Sequence, residues 1–189
     1  MRKTALIAVL GVTAALLAVA AARAATSANV TVSATVNAGA TLSVAGVGSP
    51  TFNLTLNGVD QTTIYTLPVI VVDSRGLAAG GGWNLTVTST QFKDATTHTF
   101  PTTASTITGV ATLCGTSSTC TPPTNSISNT NLAVPAATVA PTAVKYENAA
   151  TATGLGTTNV NATVSVTVPS NVFAGTYTST VTVSIVTGP

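Results

Sequence analysis

Charge is the scarcest commodity in this sequence. Lys, Arg, Asp and Glu make up 5% of the 189 residues, and aromatic residues only 4%. So little charge excludes a solvated acidic or basic disordered chain and a charge-laced coiled coil, and Gly without a three-residue period excludes a collagen. The formal charge of +2 is itself misleading, because Arg2, Lys3 and Arg23 stand in an N-terminal segment that reads as removable. What remains is three basic against four acidic residues, no basis for gripping a nucleic acid. A single His and two Cys leave too few ligands for a metal centre, and neither a metal nor a cofactor is expected.

The removable segment is residues 1–24. It opens on Arg2-Lys3, runs through an apolar stretch rich in Ala and Leu, and ends in Ala22-Arg23-Ala24, a small-x-small site for cleavage before Ala25. The expectation is a secretory signal peptide followed by one domain over residues 25–189, with no transmembrane segment in the mature chain. No Cys follows the apolar run, and the sequence reaches Gly188-Pro189 without a hydrophobic tail, so any hold on a surface is expected to be noncovalent. Export places Cys114 and Cys120 in an oxidising compartment, and their spacing predicts a disulfide that staples one small loop.

Beyond residue 25, apolar residues alternate with Thr, Ser and Asn at a period of two, the signature of half-buried strands. The pattern predicts strands through Val30, Val32, Ala34 and Val36; through Leu42 and Val44; and through Phe52, Leu54 and Leu56; residues 65–72 are more continuously apolar, as expected for a strand buried on both faces or along a sandwich interior, with Pro68 pointing to an edge or a bulge. It continues through Trp83, Leu85 and Val87, through short strands near 106–113 and 144–146, and ends in a hairpin of 162–168 with 177–185. β-Branched Thr and Val dominate and no stretch shows capped helical spacing. The fold class is all-β, a single Ig-like β-sandwich or flattened barrel.

Chemistry is harder to find. Asp60, Asp73, Asp94, Glu147 and His98 are the only candidate acids and bases, and no local motif joins them, so no enzyme and no catalytic residue is expected. Asp73 and Arg75, two apart at a strand end, read as a turn in which the carboxylate accepts backbone N–H bonds and the guanidinium covers a neighbouring carbonyl or carboxylate. His98 reads as an exposed loop residue. Trp83 has two readings: a flat platform for a sugar ring, or a core residue, which its alternation with Leu85 and Val87 favours.

The run Val71-Val72-Asp73-Ser74-Arg75-Gly76, then a Gly-rich spacer, then Gly82-Trp83-Asn84-Leu85-Thr86-Val87 with Phe92 beyond, resembles the first half of the WxL domain of bacterial surface proteins. Ala174-Gly175-Thr176-Tyr177 and the strand through Val181 to Ile185 resemble the second half, with Val183-Ser184-Ile185 where the family carries a second Trp-x-Leu. The resemblance implies a secreted β-rich domain, non-catalytic, that associates noncovalently with the cell wall through peptidoglycan, sometimes alongside other surface proteins. Carried onto this chain, it makes Trp83, Asn84 and Leu85 the candidate wall-binding residues and Asp73, Arg75, Gly76 and Tyr177 the structural motif. The alternative, drawn from low charge and Thr-rich strands, is a subunit of a surface filament or layer, in which residues 25–36 add to the open sheet edge of a second copy.

Overall fold

A computed structural model describes residues 31–76 and 81–189. The expected signal segment, residues 25–30 with Val30 of the first expected strand, and the spacer residues 77–80 lie outside the described residues. All regular structure among the described residues is β, in nine strands.

In the first sheet, β1 (Leu42–Val47) pairs with β2 (Gln61–Asp73), β2 with β8 (Gly156–Val168), β8 with β4 (Ser105–Cys114), and β4 with β5 (Leu132–Ala133), every pair antiparallel. The second sheet is built around β3 (Trp83–Thr90). On one side of it lie β7 (Val144–Ala149), antiparallel, and the short β6 (Ala136–Ala137), parallel; on the other lies β9 (Val181–Thr187), antiparallel. The two sheets pack in a sandwich-like arrangement over one core. The period of two explains how: Leu67, Val69 and Val71 of β2, and Val160, Ala162, Val164 and Val166 of β8, face inward from the first sheet. Trp83, Leu85, Val87 and Tyr146 meet them from the second.

Pro68 sits where the chain can accept it. Its carbonyl receives the Gly48 N–H at 3.1 Å, and the β1–β2 ladder begins at the next residue, Val69. In a strand the N–H and C=O of one residue point the same way, so the missing donor faces the side on which β1 has already left, and the β8 ladder on the other side is unbroken.

Three expectations fail. Residues 31–36 form no strand; Val32 and Val36 are 86% and 92% exposed, so the alternation there has no sheet to serve. Residues 51–57 are also outside any strand, although Phe52 and Leu54 still turn inward against the core. Finally, β8 and β9 form no hairpin. Residues 169–180 carry the chain from the first sheet to the second, so β8 ends beside β2 and β4, while β9 starts only at Val181 and joins β3.

The disulfide Cys114–Cys120 is formed, with Cα atoms 5.4 Å apart. It closes the loop after β4, and Gly115 and Thr121 tie that loop to Thr157 and Leu155 at the start of β8.

Candidate functional site

Asp73 is the last residue of β2, and its carboxylate falls on the inward row of that strand. A bare carboxylate cannot be left there. Arg75 reaches back with a bidentate pair, Nε to Oδ1 at 2.9 Å and Nη2 to Oδ2 at 2.7 Å, and its own N–H adds a bond to Oδ1 at 3.1 Å. Burial pushes the Asp73 pKa up, but the Arg75 hydrogen bonds and charge outweigh it and hold the group below the ordinary carboxylate value. Nη2 also donates to the Gly82 carbonyl at 3.0 Å. One guanidinium thus ties the end of β2, in the first sheet, to the residue before β3, in the second, and Gly76 turns the intervening chain at φ 62°. The turn read from the sequence is present in all its parts.

Gly82 then delivers Trp83. At φ 92° its missing Cβ leaves room for the Ala149 carbonyl, which any side chain would strike. The Trp83 side chain is 0% exposed and its Nε1–H donates to the Gly154 carbonyl at 3.1 Å. Leu85 is equally buried, and Asn84, on the opposite face of β3, donates from Nδ2 to the Gly188 carbonyl. The wall-contact role carried over to Trp83, Asn84 and Leu85 is therefore corrected: an indole can stack on a sugar only with a free face, and this one has none. The three residues bind the two sheets and the C-terminal strand together.

The two motif halves converge. In the β3–β9 ladder Leu85 lies opposite Ile185, Thr86 opposite Ser184 and Val87 opposite Val183. Val183-Ser184-Ile185 thus lies alongside the first motif, with Val183 and Ile185 half-buried against the core. Tyr177 lies outside β9, in the 169–180 crossover, where its hydroxyl donates to the Phe173 carbonyl at 3.0 Å.

Around Tyr177 stands the feature that no single stretch of sequence announces. All four Phe and two of the three Tyr gather at one end of the sandwich. Tyr65 stacks with Phe52 (ring centroids 6.2 Å), Phe52 meets Phe92 edge-on (6.0 Å), Phe92 tilts against Phe100 (5.4 Å), and Phe100 against Tyr177 (4.4 Å). Phe173, 63% exposed, lies over the His98 ring at 4.0 Å. These rings floor and rim a trough of about 1020 Å³, with residues 48–56 as one wall and 172–181 as the other. The only sequence signal for it was the rarity of aromatics, which come from five separate segments.

The four acids are dispersed among local partners. Asp60 accepts the Ser170 N–H, and Asp73 is held by Arg75. Asp94 accepts from Thr96 and lies 2.7 Å from His98 Nδ1; its desolvation is overcome by the His98 and Thr96 hydrogen bonds, which bring its pKa down to about 2. Glu147, 2% exposed on β7, has Asn129 as its side-chain partner at 3.2 Å. Among the described residues no group of three or more His, Cys, Asp or Glu is placed to hold a metal ion.

Burial pushes the Glu147 pKa up to about 7, with the Asn129 bond pulling the other way. The folded domain then binds a proton that the unfolded chain has released between the model-peptide value, 4.5, and about 7, so stability falls as pH rises through that window. Each unit of displacement corresponds to about 1.4 kcal/mol. Glu147→Gln is expected to be more stable than wild type by roughly 3 kcal/mol at about pH 8 and to lose this advantage by about pH 4. Urea denaturation of both proteins across that range measures the difference; a constant difference would show that Glu147 is not held protonated.

Architecture and paired motifs together define an all-β domain whose two motif strands lie side by side at the heart of one sheet. The model of the WxL domain family, described as surface cell wall-binding, matches residues 49–189, and the chain belongs to that family. It is accordingly a cell wall-binding surface protein. No curated protein and no solved structure matches the chain.

Proposed function

We propose that this chain is a non-catalytic module, exported by way of residues 1–24, that holds noncovalently to peptidoglycan. The observation that carries the reading is the family match over residues 49–189, whose motif positions here form one continuous structural unit across β3 and β9. Two further facts support it. Each acid is engaged in a local contact, so no acid and base face each other across a cleft. Among the described residues no helix is long and apolar enough to cross a membrane. Purified protein beginning at Ala25 is expected to sediment with insoluble peptidoglycan. Protein that stays in the supernatant at every ionic strength defeats the proposal.

A second reading, a filament or layer subunit, is favoured by one observation. β9 makes a ladder with β3 alone, with β1 of the first sheet lying alongside it unpaired, and residues 31–36 keep strand-like alternation outside any strand. Addition of residues 25–36 to a second copy requires concentration-dependent assembly in light scattering; a monomer at all concentrations eliminates it.

A further inference from the structure

We propose that the aromatic trough is the wall-binding site, and that it takes an uncharged glycan strand, reading sugar rings rather than peptide or phosphate. The inference rests on the wall-binding reading above and assigns it a place and a ligand chemistry.

Three observations carry it. First, the described residues lining the trough include no Lys, Arg, Asp or Glu; Lys93, bridged to Thr178, and Asp94 stand beside the lining and not in it. An anionic wall polymer needs cations to pair with, and so does a carboxylate-bearing stem peptide. Neither finds them in the trough. Second, the lining combines ring faces with hydroxyls: Phe52, Tyr65 and Tyr177 beside Thr51, Thr55 and Thr176. A pyranose has the same duality, an apolar C–H face and an equatorial belt of hydroxyl and amide groups, and aromatic rings accept the first while hydroxyls bond the second. Third, one wall is extended chain that belongs to no sheet. No hydrogen bond between backbone groups joins residues 51–56 to any other described residue, so among the described residues their N–H and C=O groups have no backbone partner that a ligand lying along the trough would have to displace.

Phe173 is the exposed ring of the rim, and Thr55 is exposed on the wall. Both can be changed without opening the core. Phe173→Ala removes a stacking face, and Thr55→Glu places a carboxylate where a neutral chain must lie. Val139→Glu, at an exposed residue outside the lining, controls for added charge. Binding is measured by sedimentation with intact peptidoglycan, by titration with soluble N-acetylglucosamine oligomers, which are uncharged, and by titration with released stem peptides; melting curves confirm that each variant is folded.

The expected result is that wild type and Val139→Glu bind intact wall and the soluble oligomers, that the oligomers compete with the wall, and that Phe173→Ala and Thr55→Glu bind both at least about ten-fold more weakly. Wild type and both trough variants sedimenting equally overturns the trough while leaving wall binding intact. Binding to released stem peptides, with none to the soluble oligomers, overturns the choice of ligand. Failure to sediment with any wall preparation overturns the proposed function; soluble oligomers that nevertheless titrate the protein uphold the trough, and oligomers that do not bind remove it too.

Discussion

Trp83→Ala is expected to destabilise the domain by about 3–5 kcal/mol, the range for deleting a fully buried large aromatic side chain. The indole is sealed between the sheets, so the truncation leaves a void that neighbouring strands cannot fill without breaking register. It also strands the Gly154 carbonyl, which accepts the indole N–H. Trp83→Phe keeps most of the ring and loses the hydrogen bond, and is expected to fall between wild type and the Ala form. Urea denaturation supplies the stabilities, and peptidoglycan sedimentation, corrected for the folded fraction, supplies the binding. A buried Trp predicts normal wall retention per folded molecule in both variants. Full stability with lost retention would return the indole to the surface.

The Arg75→Met variant is expected to lose a comparable amount, about 3–5 kcal/mol, because it leaves the Asp73 carboxylate buried without its only cation. The penalty belongs to the abandoned charge more than to the salt bridge. Asp73→Asn combined with Arg75→Met removes that charge, so the double variant is expected to be more stable than Arg75→Met alone, and a double-mutant cycle measures the coupling. pH separates the two proteins further. In wild type the Asp73 pKa is lowered, so its stabilisation is present above the ordinary carboxylate pKa and is lost as pH falls through the folded value. Without the Arg75 guanidinium, desolvation is opposed only by the residue-75 backbone N–H, so the Asp73 pKa rises relative to wild type and less stabilisation is lost on acidification. The gap in stability between wild type and Arg75→Met should therefore narrow on acidification, and a gap that widens would mean that Asp73 is not paired as described.

Much of this fold is readable from a period of two. Alternation along 83–87 and 162–168 follows which side chains enter the core, because one face of each strand is sealed and a one-residue slip would expose it; the continuously apolar run 65–72, expected to be buried on both faces, instead buries Leu67, Val69 and Val71 and leaves Ile70 on the outer face. The Asp73-Arg75 turn was equally legible, since a carboxylate and a guanidinium two apart satisfy each other locally. Alternation does not say whether a segment's backbone finds a partner. Phe52 and Leu54 face inward as the pattern demands while their peptide groups join no ladder, and Val32 and Val36 show the pattern with no core beneath them. The supposed terminal hairpin failed for a related reason. Proximity in sequence favours pairing neighbours, yet β3 offered β9 a longer and better-buried ladder. The aromatic trough lies furthest from the sequence, because its rings meet only after both sheets and the crossover are in place.

The partnership of β3 with β9 also governs the order of assembly. The contact of Asn84 with Gly188 spans 104 positions, so a polypeptide emerging N-terminus first must keep the apolar flank of β3 waiting until almost everything after it has been delivered. Closing so distant a pair delays folding, because the entropy of the intervening chain is surrendered before the ladder returns anything. Throughout that interval the nascent chain has little charge to keep neighbouring copies apart. Timing is thus written into this topology: the seam between β3 and β9 is zipped last.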